Sequence, residues 1–167
     1  MAHTTFPSEL PVPKDDGACS HLTDLKIPSV SLSSTAGGKA DVSTLSDLAI
    51  IFCYPRTGAP GEKIGEDWNS ISGARGCTPQ ACSFRDELAD LRKLGVKHVF
   101  GVSTQDTPYQ KEAKERLRLP YELLSDEHLE LRLVLAVENG KVTKVWYPVF
   151  PPDQNAKTVI EWLESRK

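Results

Sequence analysis

The sequence predicts an α/β domain: a mixed central sheet flanked by helices, entered through an N-terminal hairpin and arm. Three observations predict it. Residues 48–54 form a continuous apolar run, the mark of a strand buried on both faces and therefore central in its sheet. Two stretches of helix period, 78–94 and 107–119, flank a second apolar strand over 96–102. Asn139-Gly140 then joins two further strand-like runs, and Asn-Gly is the strongest short hairpin signal.

The elements follow in order. Residues 1–25, with Pro7, Pro11 and Pro13 and few periodic apolar positions, read as an extended arm laid against a single domain over 26–167. Residues 27–32 are strand-like, Gly37-Gly38 makes a turn, and 40–42 return, giving a short hairpin. Residues 43–46 make a helical turn. The run 48–54 ends at Pro55, and a long Gly- and Pro-containing loop over 56–75 follows; loops of this length in compact domains are usually functional or mobile. In the next helix Thr78 suits the N-cap and Pro79 the first helical position. Ala81, Phe84, Leu88, Leu91 and Leu94 line one face of it, and Gly95 ends it. After the strand 96–102, Thr107 caps a helix with Pro108 in its first position, and Pro120 stops it. A short extended piece at 121–124 precedes the hairpin strands 131–137 and 141–149. The last helix covers 155–166, with Val159, Trp162 and Leu163 on one face. A βαβ unit followed by a ββα unit, with a cysteine where the first strand leads into its helix, is the plan of a thioredoxin-like fold. In open α/β sheets, sites lie beyond the C-terminal ends of the parallel strands, where Cys77 falls.

Composition narrows the function classes. A chain of 167 residues is large enough for one proper core. The net charge of −3 and the lack of a basic run argue against nucleic acid as a partner. No apolar stretch approaches the ~20 residues that span a bilayer, so no membrane partner is expected. The segment 1–7 has neither the basic nor the apolar part of a secretory signal. Four cysteines in a chain this long do not make a disulfide framework, which points to a reducing compartment and a cytoplasmic location.

Two of those cysteines carry the chemistry. Cys77 stands at the mouth of the 78–94 helix and Cys82 about one turn inside it. A helix N-terminus offers unpaired N–H groups and a partial positive charge, and both favour a thiolate. Arg75 is placed to add to that effect, or is a solvated loop charge, as Arg56 is also read. If the helix reaches back to Cys77, the two Cα atoms lie about 8–9 Å apart. A disulfide tolerates at most about 7 Å, so a bond between them requires the first turn to unwind. Cys53 reads as a small core residue and Cys19 as a surface thiol. His3, His21, His98 and His128 are isolated, and the cysteine spacing does not suit a zinc site. Residues 146–152 read as a packed edge, or as a pocket rim or partner surface.

Gly76-Cys77-Thr78, Ala81-Cys82 and Phe84-Arg85-Asp86 resemble the paired-cysteine helix start of peroxiredoxins of the PrxQ/bacterioferritin-comigratory type. Tyr54-Pro55, Gly101-Val102-Ser103, Leu123-Leu124-Ser125-Asp126 and the Asn139-Gly140 hairpin extend the resemblance over roughly residues 25–165. The resemblance implies a thiol peroxidase for hydrogen peroxide and organic hydroperoxides. It makes Cys77 the peroxidatic cysteine and Cys82 the resolving one, with a thioredoxin-like dithiol as reductant and no metal or organic cofactor. Arg132 resembles the arginine that the family keeps near the peroxidatic sulfur, and reads equally as an ordinary strand residue. A resolving cysteine within the same helix points to a monomer.

Three departures stand beside the resemblance. Position 74 is Ala where the family usually has Thr or Ser, leaving Thr57, Ser72 or the backbone alone to bind peroxide. Asp126 and Arg132 are close together where the family has a helix and further chain, and the arm at 1–25 has no counterpart in its shortest members. The Ala at 74 and the short segment before Arg132 keep a second class of function open: a redox-sensing or binding module on the same fold with little turnover. A dithiol oxidoreductase would more commonly carry Cys-x-x-Cys.

Overall fold

The computed structural model describes residues 13–62, 76–127 and 134–166. Seven strands form one mixed sheet: β1 (Ser31–Ser34), β2 (Lys39–Asp41), β3 (Ala49–Cys53), β4 (His98–Ser103), β5 (Glu122–Ser125), β6 (Val134–Glu138) and β7 (Lys141–Trp146). Their spatial order is β2-β1-β5-β4-β3-β6-β7. Strands β3, β4 and β5 run parallel, and the two hairpins flank them antiparallel. Ala49, Ile50, Ile51 and Phe52 of β3 are completely buried, as the unbroken apolar run requires of a central strand.

Local chemistry explains most boundaries. The first hairpin turns through Gly37 and Gly38, both with positive φ, where glycine carries no Cβ penalty. Asn139 and Gly140 also have positive φ, the geometry that a two-residue hairpin with the native strand twist needs. Residues 24–27, where the expected arm meets the domain, lie along the β6–β7 hairpin: Asp24 N–H donates to the Val142 carbonyl at 2.8 Å, and Ile27 N–H to that of Gly140 at 2.9 Å. That contact covers part of an edge strand.

Two expectations for the first helix need correcting. It begins at Cys77, one residue before the expected cap, and runs to Asp86 (α1). Gly76 is its N-cap and accepts from Gln80 N–H at 2.8 Å. Thr78 and Pro79 are inside the first turn, where a proline loses no hydrogen bond because those N–H groups have no intrahelical partner. The stretch 78–94 is also not one helix. Glu87 adopts φ −93°, ψ 4°, and a separate α2 covers Leu88–Lys93. Phe84, Leu88 and Leu91 stay buried across the break, so the apolar period does not reveal it. Helix α3 (Thr107–Leu117) is capped by Asp106, not Thr107: its carboxylate accepts from Tyr109 N–H at 2.8 Å. Helix α4 is Asn155–Glu164.

Two cores sandwich the sheet. On one face Ile50, Phe52, Leu123 and Ala136 pack with Phe84 and Leu91 and with Val159 and Leu163 of α4. On the other, Ile51, Phe100, Val102, Leu124, Leu135 and Val137 are covered by Ile27, Leu32, Val42 and neighbours from the N-terminal region. The first core places α1. Phe52 stacks on Phe84 with ring centroids 4.6 Å apart. It fits there because position 101 has no side chain: a Cβ on Gly101 would lie 2.8 Å from the Phe52 ring and 2.7 Å from Leu123.

Candidate active site

The parallel strands β3 and β4 end at the same edge of the sheet, in register from Ala49/His98 to Cys53/Val102. The chain leaving β3 there carries Tyr54, Arg56 and Thr57, and α1 delivers Cys77 to the same place. Cys77 is its first helical residue and is 4% exposed. Burial pushes its thiol from 9.0 up to about 11. The Arg56 backbone N–H, the Cys77 N–H and the Arg56 guanidinium oppose that shift by favouring the thiolate. Tyr54 is buried beside it, and desolvation raises its phenol to about 12, so it is neutral at ordinary pH. Ser103 and Gln110 lie close to the Tyr54 oxygen, yet neither reaches it with hydrogen-bond geometry.

Cys82 has different surroundings. It is buried as well, and desolvation raises its thiol, with Arg85 pulling the other way and Asp86 adding to the rise. The helix around it is fastened to the core. The Tyr121 hydroxyl donates to the Ala81 carbonyl at 2.6 Å, and Arg85 Nη1 donates to the Leu117 carbonyl at 2.8 Å. One turn earlier, Gln80 Nε2 donates to Asn155 Oδ1 at 3.2 Å. Both thiols are free and separated by continuous helix, the geometry that puts the two Cα atoms about 8–9 Å apart.

The loop after β3 is tied to α3. The Thr57 N–H and hydroxyl donate to Gln105 Oε1 at 2.8 and 3.2 Å, and Gln105 Nε2 donates back to the Thr57 carbonyl at 3.1 Å. The Tyr109 hydroxyl bonds the Thr57 carbonyl at 2.8 Å and Glu62 Oε2 at 2.6 Å. Glu62 pairs with the Arg56 guanidinium. Arg116 Nη2 holds the Gly58 carbonyl at 3.0 Å. Of the expected site residues, the structure sets Cys77 and Cys82 on one helix. Arg132, Ala74, Ser72 and Arg75 lie outside the described residues. Thr57 is buried, and its hydroxyl is directed to Gln105.

Arg56 is the residue that sequence reading missed. It reads as a solvated loop charge because nothing local distinguishes it; its neighbours at Cys77 and Tyr109 are distant in sequence. The one available signal was its position two residues after the apolar run 48–54, at the sheet edge where sites form. Cys53 is half-buried and packs against the second core, in keeping with a small core residue. Trp146 packs edge-on to Trp162 at 5.3 Å, which fits the packed-edge reading of 146–152.

Comparison with known proteins gives the family of the chain. The AhpC/TSA family model matches residues 70–150. A chloroplastic peroxiredoxin Q of Populus jackii is 31% identical over 184 aligned positions, covering 87% of this chain and 79% of that protein. The chain belongs to the peroxiredoxin Q family. The peroxiredoxin Q of Suaeda salsa is 33% identical over 107 residues, and there the match covers 54% of this chain and half of that protein's length. The chain thus spans about half the length of such relatives. The Populus alignment is longer than the chain's own 167 residues. That relative therefore has residues within the aligned stretch that this family member lacks.

Solved structures show the fold. Peroxidoxin BcpB from Mycobacterium tuberculosis superposes with a TM-score of 0.69 at 22% identity, over 87% of this chain and 97% of that one. Xanthomonas campestris peroxiredoxin Q superposes with a TM-score of 0.63 at 17% identity, over 81% of this chain and 90% of that one. The thioredoxin-like α/β architecture expected from the element order is the one observed.

Proposed function

We propose that this peroxiredoxin Q family member is a thiol peroxidase acting on hydrogen peroxide and organic hydroperoxides. The observation that carries this reading is Cys77 as the first residue of α1, beside Arg56 and Tyr54, with Cys82 five positions on in the same helix. The Cys77 thiolate attacks the terminal peroxide oxygen. An S–O bond forms, the O–O bond breaks, and the departing oxygen takes a proton and leaves as water or alcohol. Sulfur is oxidised by two electrons to a sulfenic acid. The first turn of α1 then unwinds, Cys82 attacks the sulfenic sulfur, and water leaves as the disulfide forms. A thioredoxin-like dithiol returns both thiols by exchange and becomes a disulfide itself.

Arg132 enters this reading through family resemblance, as a cation supporting the thiolate and the charge developing on the peroxide. No metal or organic cofactor takes part in these steps. A monomer is proposed because both cysteines belong to one helix, and a cytoplasmic location from cysteine usage; the plant relatives are named as chloroplastic proteins.

A second reading, a redox-sensing module with little turnover, draws on the burial of Cys77, which favours the thiol over the thiolate. Peroxide consumption coupled to thioredoxin and its reductase separates the two. Under the peroxidase reading the chain turns over, and Cys77→Ser and Cys82→Ser both stop turnover. Cys82→Ser still consumes one oxidising equivalent. An unaltered chain that forms the sulfenic acid but does not turn over supports the sensor.

A further inference from the structure

Arg56 is held in a way that a solvated loop residue is not. Its guanidinium pairs with Glu62 through Nη2. The same Glu62 carboxylate also accepts the Tyr109 hydroxyl at 2.6 Å and the Ala59 N–H at 3.1 Å. The Tyr109 hydroxyl in turn reaches the Thr57 carbonyl, next in the chain to Arg56. A carboxylate and a phenol from two elements therefore aim one cation. The neighbouring donor on the guanidinium is different: the Arg56 Nε–H, beside the Nη2 that Glu62 holds, is shielded from solvent and has no hydrogen-bond partner among the described residues. A buried, unpaired donor is uncommon and asks for an explanation. It belongs to the residue whose charge and backbone N–H act on the Cys77 sulfur.

We propose that Arg56 is a catalytic residue, supplying a positive charge to the Cys77 thiolate and an N–H donor to the peroxide, and that Glu62 and Tyr109 are its positioning residues. The proposal rests on the peroxidase reading. Thiolate attack moves negative charge from sulfur onto the departing oxygen, and a fixed donor beside both atoms stabilises that shift. Arginine suits the task because its several N–H donors let Nη2 bond the carboxylate while the Nε–H stays free. The charged and titratable groups around Arg56 are Glu62 on its own loop and Tyr109 on α3, with the Glu112–Arg116 pair further along α3 and Tyr54 at the end of β3.

The test uses the full chain with Cys82→Ser and two readouts taken on the Cys77 peptide by mass spectrometry, so that the free Cys19 and Cys53 do not contribute: iodoacetamide alkylation of Cys77 as a function of pH, and the quench-flow rate of its oxidation by hydrogen peroxide. Arg56→Gln is expected to slow both about tenfold near neutral pH, one unit of thiolate pKa. Arg56→Lys restores most of the alkylation rate through its charge, but not the peroxide rate, because it lacks the fork. Tyr109→Phe slows the peroxide reaction about threefold when Arg56 is present and has no further effect in Arg56→Gln, the non-additivity expected of residues acting through one another.

An Arg56→Gln peroxide rate within twofold of the parent overturns the proposal. Equal slowing by Tyr109→Phe in both backgrounds overturns the positioning role. A parent chain that alkylates with the expected Arg56 dependence, yet is not oxidised by peroxide, overturns the donor role and the peroxidase reading while leaving the charge effect established.

Discussion

The two ends of α1 are built to different standards. Around Cys82 the helix is fastened: Phe84 stacks on Phe52, the Tyr121 hydroxyl holds the Ala81 carbonyl, and Arg85 holds the Leu117 carbonyl. Around Cys77 it starts from Gly76, with no side chain capping it, and its first turn is tied to other segments by the Gln80–Asn155 bond and by the Arg56 N–H at the Cys77 sulfur. The lesson is mechanical. A disulfide between these thiols requires about 1–2 Å or more of approach from helical geometry. The strong contacts lie at the end that the proposed disulfide would leave in place, and fewer lie at the end that it would open.

The largest test of that contrast removes the fixed end. Phe84→Ala deletes a completely buried ring and is expected to cost about 3–5 kcal/mol of stability, measured by urea unfolding. A cost under ~1 kcal/mol would mean that α1 is held elsewhere. Next comes the buried thiol. The Cys77 pKa is raised from 9.0 to about 11 in the folded state, so the folded protein binds the proton more tightly than the unfolded chain does. The stabilisation is complete below pH 9 and is lost as pH rises from 9 through 11. Its size is up to about 3 kcal/mol, and Cys77→Ser should flatten the unfolding free energy over that window. An unchanged slope would show that Cys77 is less buried than described.

Gly101→Ala acts on the fixed end at one remove. Its methyl would meet Phe52 and Leu123 at under 3 Å, and overpacking of this kind costs about 1–3 kcal/mol. A neutral thermal melt would show that Phe52 has room to move. The smallest effects make the finest comparison. Tyr121→Phe and Gln80→Leu each remove one hydrogen bond, worth about 1 kcal/mol. Disulfide formation after Cys77 oxidation should speed up in Gln80→Leu and stay unchanged in Tyr121→Phe. The reverse order would place the opening hinge at the wrong end.

Much of this molecule was determined by sequence alone, through interactions that span a few residues. The β3 run is apolar without a break, so it had to be buried on both sides. Asn139-Gly140 takes positive φ at low cost, so the hairpin had to turn there. The Cys77–Cys82 spacing already placed both thiols on one helix start. Where the reading slipped, local rules were nearly balanced. Gly76 and Thr78 are both acceptable caps, and Glu87 interrupts the helix without disturbing the apolar face. Tertiary structure alone decided what surrounds Cys77. Thr57 meets Gln105 across 48 residues of sequence, and Tyr109 meets Thr57 across 52. Those meetings exist because β3 lies beside β4 in parallel, which brings the loop after one strand to the helix that follows the other. No periodicity within either segment encodes that adjacency, so the meeting of the Arg56 loop with Tyr109 and Cys77 shows only once the sheet is assembled.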